Sequence, residues 1–580
     1  MRRVFPSVLI VMAILAFAPT NGVRRLLEFV EQDQLDGPCN CNVRKLNDPY
    51  WKDSWHLLNE TPPSMKIIEA WDKGFTGKGV VVTVVDDGLD YRHPDLINNY
   101  DPAASYDIND GDSDPTPRPT YTNENRHGTR MAGIISATAN NEVCSVGVAP
   151  KSTIGGIRLL DGNVDDDAEA VAFSFANDHI DIYAIAFGPD DDGKTVDGPG
   201  PKAMEAIERA IKMGRNGKGS IIVSSTGNGG RYFDDCNCDG YSNSIYTIGV
   251  GSITSNSTQP WYGEKCSSML AATYSSGGTR HKEMTTTDLN SRCTTKHTGN
   301  SPSVSIAAGM CALALEANPY LTWRDMQHLI VQTANPYGLK VDDWITNAVG
   351  RKVSRTFGYG LMDADAMVTK ARNWTHVPKQ VSCRVTVQGS EWYVNNNRPT
   401  SVQIPTFPCE DGGILPDRLE HVVLKINTHK IYQLGLLSIH LESPSHTRST
   451  IVGERTKIDN RYRGFLNWNF TSVQFWDENP VGDWVVIFER KNYVAIRSPI
   501  VLTLHGTLDK DWEKLKPRPT SALEAPVEDE TTDKTITGTS IDPEEENKQK
   551  LLRDMRYIAC KTGCHIQSLF EPDKPCNCVF

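Results

Sequence analysis

Three short phrases along the chain place an acid, an imidazole and a hydroxyl in fixed order: Asp86 in VVDDG, His127 in NRHGT and Ser301 in HTGNSPS. Those side-chain types can build a nucleophilic relay. The imidazole takes the serine proton, the carboxylate fixes the imidazole tautomer and stabilises its cation, and the serine oxygen attacks a carbonyl to form an acyl-enzyme. Asn228, in the Gly-rich turn SSTGNGG, offers a side-chain amide to the oxyanion that such an attack creates. Each phrase alone reads as an ordinary structural string. Their joint order, on elements that suit them, does not read as coincidence.

The elements follow from apolar periodicity. Val80 to Val85 is an unbroken β-branched run between Gly79 and Gly88, which predicts a buried strand with Asp86 at its carboxyl end. Active-site groups of open α/β sheets gather at such ends. Ile180 to Phe187 and Gly219 to Ser224 read as further strands, and Ala203 to Met213 as a helix. Short apolar strands alternating with helices predict a parallel sheet covered on both faces. His127 opens a predicted helix, RHGTRMAGIISATA, where Gly128 allows close backbone approach. Ser301 lies just before SVSIAAGMCALALEA, apolar almost all round and so predicted as a buried helix whose first N–H groups could receive an oxyanion.

From Ser382 to about Leu508, segments such as HVVLKINTH, LLSIHLES, DWVVIFER and IVLTLHGTL predict an all-β sandwich. Lys510 to Asn547, rich in Pro, Thr, Glu and Asp, reads as a disordered acidic linker. A short amphipathic helix over Asn547 to Ile558 and a Cys-rich tail ending CNCVF follow.

The 580 residues call for two or three domains, and a net charge of −12 argues against nucleic acid as a partner. On charge alone, a merely solvated acidic surface and a site for cationic ligands both stand. The start, MRRVFPSVLIVMAILAFAPTNG, has the signal-peptide pattern, and no later run is long enough for a transmembrane anchor. Sequons at Asn59, Asn256, Asn373 and Asn469 and fourteen cysteines agree with a secretory-pathway or secreted protein.

Beyond these readings, the chain from Asp48 to Leu508 resembles the furin/kexin family of proprotein convertases, most of all its prohormone-processing members. The phrases that carry the resemblance are NRHGTRMAG, ANNEVCSVGVAP, DDGKTVDGPG, GNGGRYFDDCNCDGYSNSIYTI, CSSMLAATYSSG and LEANPYLTWRDMQHL. Acid, histidine and serine also stand in the chain order of subtilisin. The resemblance implies an α/β fold: a subtilisin-like catalytic domain with a parallel central sheet, followed by an all-β sandwich P-domain. The segments are then a signal peptide (1–22), a short residual pro-segment (23–45), the catalytic domain (46–375), the P-domain (380–508), the linker (509–547) and the tail (548–580).

It further implies a calcium-dependent serine endopeptidase of the Golgi, secretory granules or cell exterior that cuts precursor proteins after paired basic residues. Asp86, His127, Ser301 and Asn228 take the catalytic positions. Asp191 and Asp239 take the primary substrate pocket, Asp87 and Glu124 the next, and Glu169 and Asp197 the one for a more distal basic residue. Read alone, the acidic runs at Asp165 to Asp167 and Asp190 to Asp192 are solvated loops. Calcium is implied at three sets: Asp107, Asp112 and Asp114; Asp48, Asp95 and Asn141; and Asp191, Asp234 and Glu264. Only the first is a compact oxygen-ligand loop by sequence, and it lacks EF-hand spacing. Disulfides are implied between Cys144 and Cys293, Cys236 and Cys266, and Cys383 and Cys409.

Cys311 reads as a core residue, and Cys238 has no clear partner. Cys39, Cys41, Cys560, Cys564, Cys576 and Cys578 fall outside the resemblance, and their CNC pairs lack zinc spacing, which favours disulfides. The C-terminal tail is also a candidate for membrane-surface association.

Departures from the family pattern keep a second function open, a catalytically impaired pseudoprotease that binds basic peptides or regulates an active convertase. Asn300 replaces a threonine, Pro302 removes an N–H beside the oxyanion site, and Ala186-Phe187 replace Ser-Trp in the pocket wall. Met131 replaces a cysteine, YQLGLL stands in place of an Arg-Gly-Asp, and only Val23 to Lys45, ending on the basic pair Arg44-Lys45, stands in place of a long propeptide.

Overall fold

The structure is a computed structural model that describes residues 46–58, 63–122, 124–278, 281–394, 398–429, 434–455, 464–490 and 494–515. The expected signal peptide, pro-segment and C-terminal tail, the linker beyond 515, Asn59 and the six terminal cysteines lie outside the described residues.

The β-branched run forms β1 (Val81–Asp86). It is followed by β2 (Tyr106–Asp107), β3 (Thr153–Arg158), β4 (Ile182–Ile185), β5 (Ile221–Ser225), β6 (Ile248–Ile253) and β7 (Ala271–Tyr274). These pair in the order β2-β3-β1-β4-β5-β6-β7, and every pairing is parallel. The order reverses at β1, with β3 on one side and β4 on the other. That reversal leaves a crevice at the carboxyl end of β1, where Asp86 stands.

Helix Ser301–Ala317 is buried without interruption from Ser301 to Leu315. An apolar surface all round suits a helix enclosed by the core rather than laid on it. Gly309 makes the close approach feasible, since a Cβ there would come within 2.6 Å of Val148 Cβ. The predicted helix over Ala203 to Met213 is longer at its start, beginning at Pro201, and its helical backbone stops at Gly214. There Arg215 turns inward to hold Asp181 at 2.9 Å and the Leu321 carbonyl at 2.8 Å.

The C-terminal module is two antiparallel sheets. One joins strands Val381–Val387, Val494–Thr507, Arg418–Thr428, Trp468–Ser472 and Glu391–Val394. The other joins Thr400–Pro405, Asp483–Arg490, Leu437–Glu442 and Arg448–Val452. Alternate residues are buried along Asp483–Arg490 and Leu437–Glu442, the signature of sheets with one face on a shared core. The expected linker departs from prediction at its first residues, where Asp509–Leu515 is helical. Trp512 anchors it, donating from Nε1 to Thr507 Oγ1 at 2.8 Å. Among the described residues no helix is long and apolar enough to cross a membrane.

Buried polar contacts join the two modules. Helix Trp323–Thr333, closed at its start by a Thr322–Asp325 capping box, projects Arg324 and His328 onto Glu420 of the C-terminal module. Glu420 is 1% exposed and held well below the usual carboxylate range, because Arg324 and His328 outweigh its burial. Asn237 donates to the carbonyls of Ile451 at 2.6 Å and Thr471 at 3.1 Å. Removing one partner of a buried ion pair strands the other charge. Glu420→Ala should therefore lower unfolding free energy by about 3–5 kcal/mol, read from the denaturant midpoint, and an unchanged midpoint would contradict the assigned role.

Candidate active site

Asp86, at the end of β1 and 1% exposed, accepts from His127 Nδ1 at 2.7 Å, and His127 Nε2 lies 2.7 Å from Ser301 Oγ. Local chemistry sets this alignment. The carboxylate of Asp87 accepts both the His127 and the Gly128 backbone N–H at 2.8 Å, capping helix His127–Ser136 where an anion is favoured. At Gly128 a Cβ would sit 2.3 Å from the Gly88 carbonyl oxygen, so only glycine lets the helix meet the β1 turn. Ser301, predicted just before its helix, is the first helical residue, with Pro302 in the first turn, where a missing N–H breaks no intrahelical bond. The disulfide Cys144–Cys293 ties strand Arg292–His297, which leads into Ser301, to the loop around Cys144.

The electrostatics stabilise the imidazolium that His127 becomes when it accepts a proton. Burial alone would lower its pKa, but the charge and hydrogen bond of Asp86, with Asp87 behind it, raise it above the ordinary histidine value. His297, a neighbour that the motif reading passed over, packs edge-on against the His127 ring at 5.6 Å. It is buried and held well below its usual pKa, first by burial and then by the charges of His127 and Arg130. Its place four residues before Ser301, in KHTGNS, was the only sequence signal.

Asn228 Oδ1 accepts the Asn300 backbone N–H at 2.8 Å, which fixes the amide and turns Nδ2 toward Asp191 Oδ2 at a long 3.4 Å. The Asn300 side chain is fully buried. It accepts from Ser225 Oγ at 3.2 Å and donates to Thr226 Oγ1 at 3.1 Å, so it braces the end of β5.

The predicted substrate acids divide into groups. Asp191 and Asp239 stand near each other, and Asp239 is pushed up to about 7 by burial, then by the charges of Asp191 and Asp234. Asp197 pairs with Asp239 through the backbone and exposes its side chain. Glu169, nearly buried, accepts from Tyr241 Oη, and Phe187 packs edge-on against that tyrosine at 5.5 Å. Glu124 is exposed three residues before His127. Asp87 has each oxygen accept one backbone N–H, and burial followed by the Asp86 charge pushes it up to about 7.

Among the described residues no set of three or more His, Cys, Asp or Glu closes into a metal-holding group. Asp107 and Asp112 are joined by an antiparallel backbone bridge, and Asp112 accepts the Asp114 N–H at 2.8 Å, so the loop gathers all three residues. Asp107 is buried and pairs with the Arg158 guanidinium, while Asp112 and Asp114 are exposed and accept turn N–H groups at 2.8 and 3.1 Å.

The other two sets also converge. Asp48 accepts from Asn140 N–H at 3.0 Å, Asp95 accepts from Asn141 Nδ2 at 2.8 Å, and Asp95 is pushed up to about 7, mainly by burial. Glu264 accepts from Gly229 N–H at 2.8 Å and is raised well above its usual pKa by burial, then by Asp234 and Asp191. Arg455 of the C-terminal module donates to Asp234 at 2.8 Å. Each set holds buried, mutually repelling carboxylates with too few cationic partners, the chemistry a hard divalent cation suits. In these two sets the carboxylates are turned to N–H donors, and their donor chemistry fits calcium.

The fold and relay are those of a subtilisin-like protein with an added β-sandwich. The sequence pattern of the Subtilase family matches residues 77–360, and that of the Proprotein convertase P-domain matches residues 419–493. Furin-1 of Xenopus laevis is 49% identical over 463 residues, covering 79% of this chain and 59% of the furin. Proprotein convertase subtilisin/kexin type 5 of Homo sapiens is 49% identical over 450 residues, 76% of this chain and 24% of that protein. The chain therefore spans about three-fifths of the length of the furin and a quarter of the other relative. A serine protease of Aeromonas sobria has the same fold, with a TM-score of 0.68 and 21% identity over 79% of this chain and 96% of its own. The chain belongs to the furin/kexin-like proprotein convertases.

If Asp86 raises the His127 pKa, Asp86→Asn should lower it by roughly one to three pH units. Imidazole ring NMR through a pH titration reads this directly, and an unmoved midpoint would count against the pairing.

Proposed function

We propose that this protein is a calcium-dependent serine endopeptidase of the secretory pathway that cleaves precursor proteins after paired basic residues. The carrying observation is the unbroken Asp86–His127–Ser301 alignment, at 2.7 Å on each side of the imidazole, beside a cluster of carboxylates. In this reading Ser301 Oγ attacks the scissile carbonyl as His127 Nε2 takes its proton. Asp86 holds the Nδ1–H and offsets the imidazolium charge. His127 returns the proton to the leaving amine, and water, activated by the same imidazole, releases the acyl group. Asn228 Nδ2 serves the oxyanion once substrate displaces its long contact to Asp191.

Asp191 and Asp239 would meet the guanidinium or ammonium before the scissile bond, Glu124 the next residue, and Glu169 and Asp197 a more distal one. Asp87, which also orients His127 by accepting its backbone N–H, would share that next residue with Glu124, since each of its oxygens keeps a second lone pair. The relatives' names as furins and proprotein convertases support precursor substrates. The engagement of Asn300 with β5 and the first-turn position of Pro302 favour an active enzyme over the pseudoprotease, since neither disturbs the relay.

Calcium would be held by Asp191, Asp234 and Glu264 and by Asp48, Asp95 and Asn141, where it supplies positive charge to buried carboxylates.

A fluorogenic Arg-x-x-Arg or Lys-Arg peptide should be cleaved after its last basic residue, with Ser301→Ala lowering kcat by at least roughly 10⁴-fold. Equal rates for the two proteins would sink the assignment. Calcium removal should lower Tm. Asp95, in one calcium set, has a raised folded pKa of about 7, so the stability of its protonated form is present at low pH and lost as pH rises through about 7. The chelator-induced fall in Tm is therefore expected to be larger at pH 8 than at pH 5. The opposite order would argue against cation binding at these carboxylates.

A further inference from the structure

Where the turn after Asp239 meets the outer face of the five-stranded P-domain sheet, a groove of about 600 Å³ opens. That volume suits a ligand of several residues' functional groups. The catalytic side contributes Asp197 and Glu208, and the P-domain side contributes Arg384, Lys425, Asn469 and His505. Asp197 belongs to both the groove and the acidic cleft, since its backbone pairs with that of Asp239 and its charge is felt at Glu169. In the protease reading the substrate runs from Ser301 past Asp191 and Asp239 to Asp197, and the groove begins at Asp197.

The charge changes sign along that path. Glu208 is already paired with Lys212 at 2.7 Å. Arg384 has a loose pairing with Glu410 at 3.6 Å, with its side chain half exposed. Lys425 is half-buried and has no ion pair among the described residues. His505 is pushed down to about 4, chiefly by burial, and so is neutral near pH 7. Beyond Asp197 the P-domain side of the groove is therefore basic, unlike the cleft that leads to it.

We propose that this groove is an upstream exosite that binds acidic residues of the substrate, N-terminal to the basic residues read in the cleft. The proposal rests on the protease reading above. A chain held extended in the cleft advances about 3.3 Å per residue, and on passing Asp197 it enters the groove with its next side chains facing Lys425 and Arg384. The substrate class is then a precursor with basic residues at the cut and glutamates or aspartates just upstream. Such long-range complementarity acts mainly through encounter and binding, so it affects KM more than kcat and weakens with salt.

The test compares an Arg-x-x-Arg fluorogenic peptide carrying four-residue N-terminal extensions of glutamate, alanine or lysine with the unextended peptide. At low salt the glutamate extension should raise kcat/KM about fivefold over alanine, through KM, and the lysine extension should lower it. Lys425→Glu should reverse the preference, and the milder Lys425→Gln should abolish much of it. Both should cleave the unextended peptide as the wild type does. Equal rates for the three extensions, or a preference untouched by Lys425→Glu, would overturn the exosite.

Failure to cleave the unextended peptide would instead defeat the protease reading. The exosite is then read by fluorescence anisotropy of the same extended peptides on Ser301→Ala, where tighter binding of the glutamate peptide is expected and equal binding refutes it. A glycan on the Asn469 sequon, on the same wall, is the rival occupant. A glutamate preference that emerges only in Asn469→Gln would assign the groove to the glycan and overturn the proposal.

Discussion

Two adjacent buried carboxylates at the end of one strand govern the geometry of this molecule. Asp86 and Asp87 sit side by side at the switch point of the sheet, where two negative charges so close cannot both remain without partners. His127 answers both. Its imidazole serves Asp86, and its backbone, with that of Gly128, serves Asp87. The histidine is thereby fixed in position and orientation by its own local electrostatics, before Ser301 is considered. The buried helix then brings the hydroxyl to the free imidazole nitrogen.

The same logic extends outward. Buried acids near the cleft are each answered by a different kind of donor: backbone N–H groups at Asp87, a tyrosine hydroxyl at Glu169, guanidinium groups at Asp107 and Asp234. Two of the cationic answers cross between modules. Arg455 reaches from the P-domain to Asp234, and Arg324 reaches from the catalytic domain to Glu420. Such pairs are costly to break from one side, so they lock the relative placement of the modules even where their net contribution to stability is small. Through Arg455 the P-domain thereby touches the acid cluster that contains Asp234.

Most of the architecture was legible in the sequence because its signals are local. Six consecutive β-branched residues announce β1, an apolar surface all round announces the helix after Ser301, and strict alternation announces the sandwich strands. Boundaries slipped where a side chain acted from outside the segment. Trp512 turned the start of an expected linker into a helix, and Asp107 gained an ion pair because Arg158 stands directly opposite it in the parallel register. Composition cannot reveal a guanidinium supplied by a neighbouring strand.

The sequence by itself determined the reaction class and the fold, since Asp86, His127, Ser301 and the apolar periodicities around them are properties of short stretches. Only the tertiary structure decided which carboxylates are free to meet a ligand. Asp87 and Asp191 look alike as residues in acidic runs, yet one accepts backbone N–H groups at a helix start and the other takes a long contact from the Asn228 amide. The physical reason is that a carboxylate's availability depends on the donors around it. Those donors come from far along the chain, as Arg455 does for Asp234 across 221 positions.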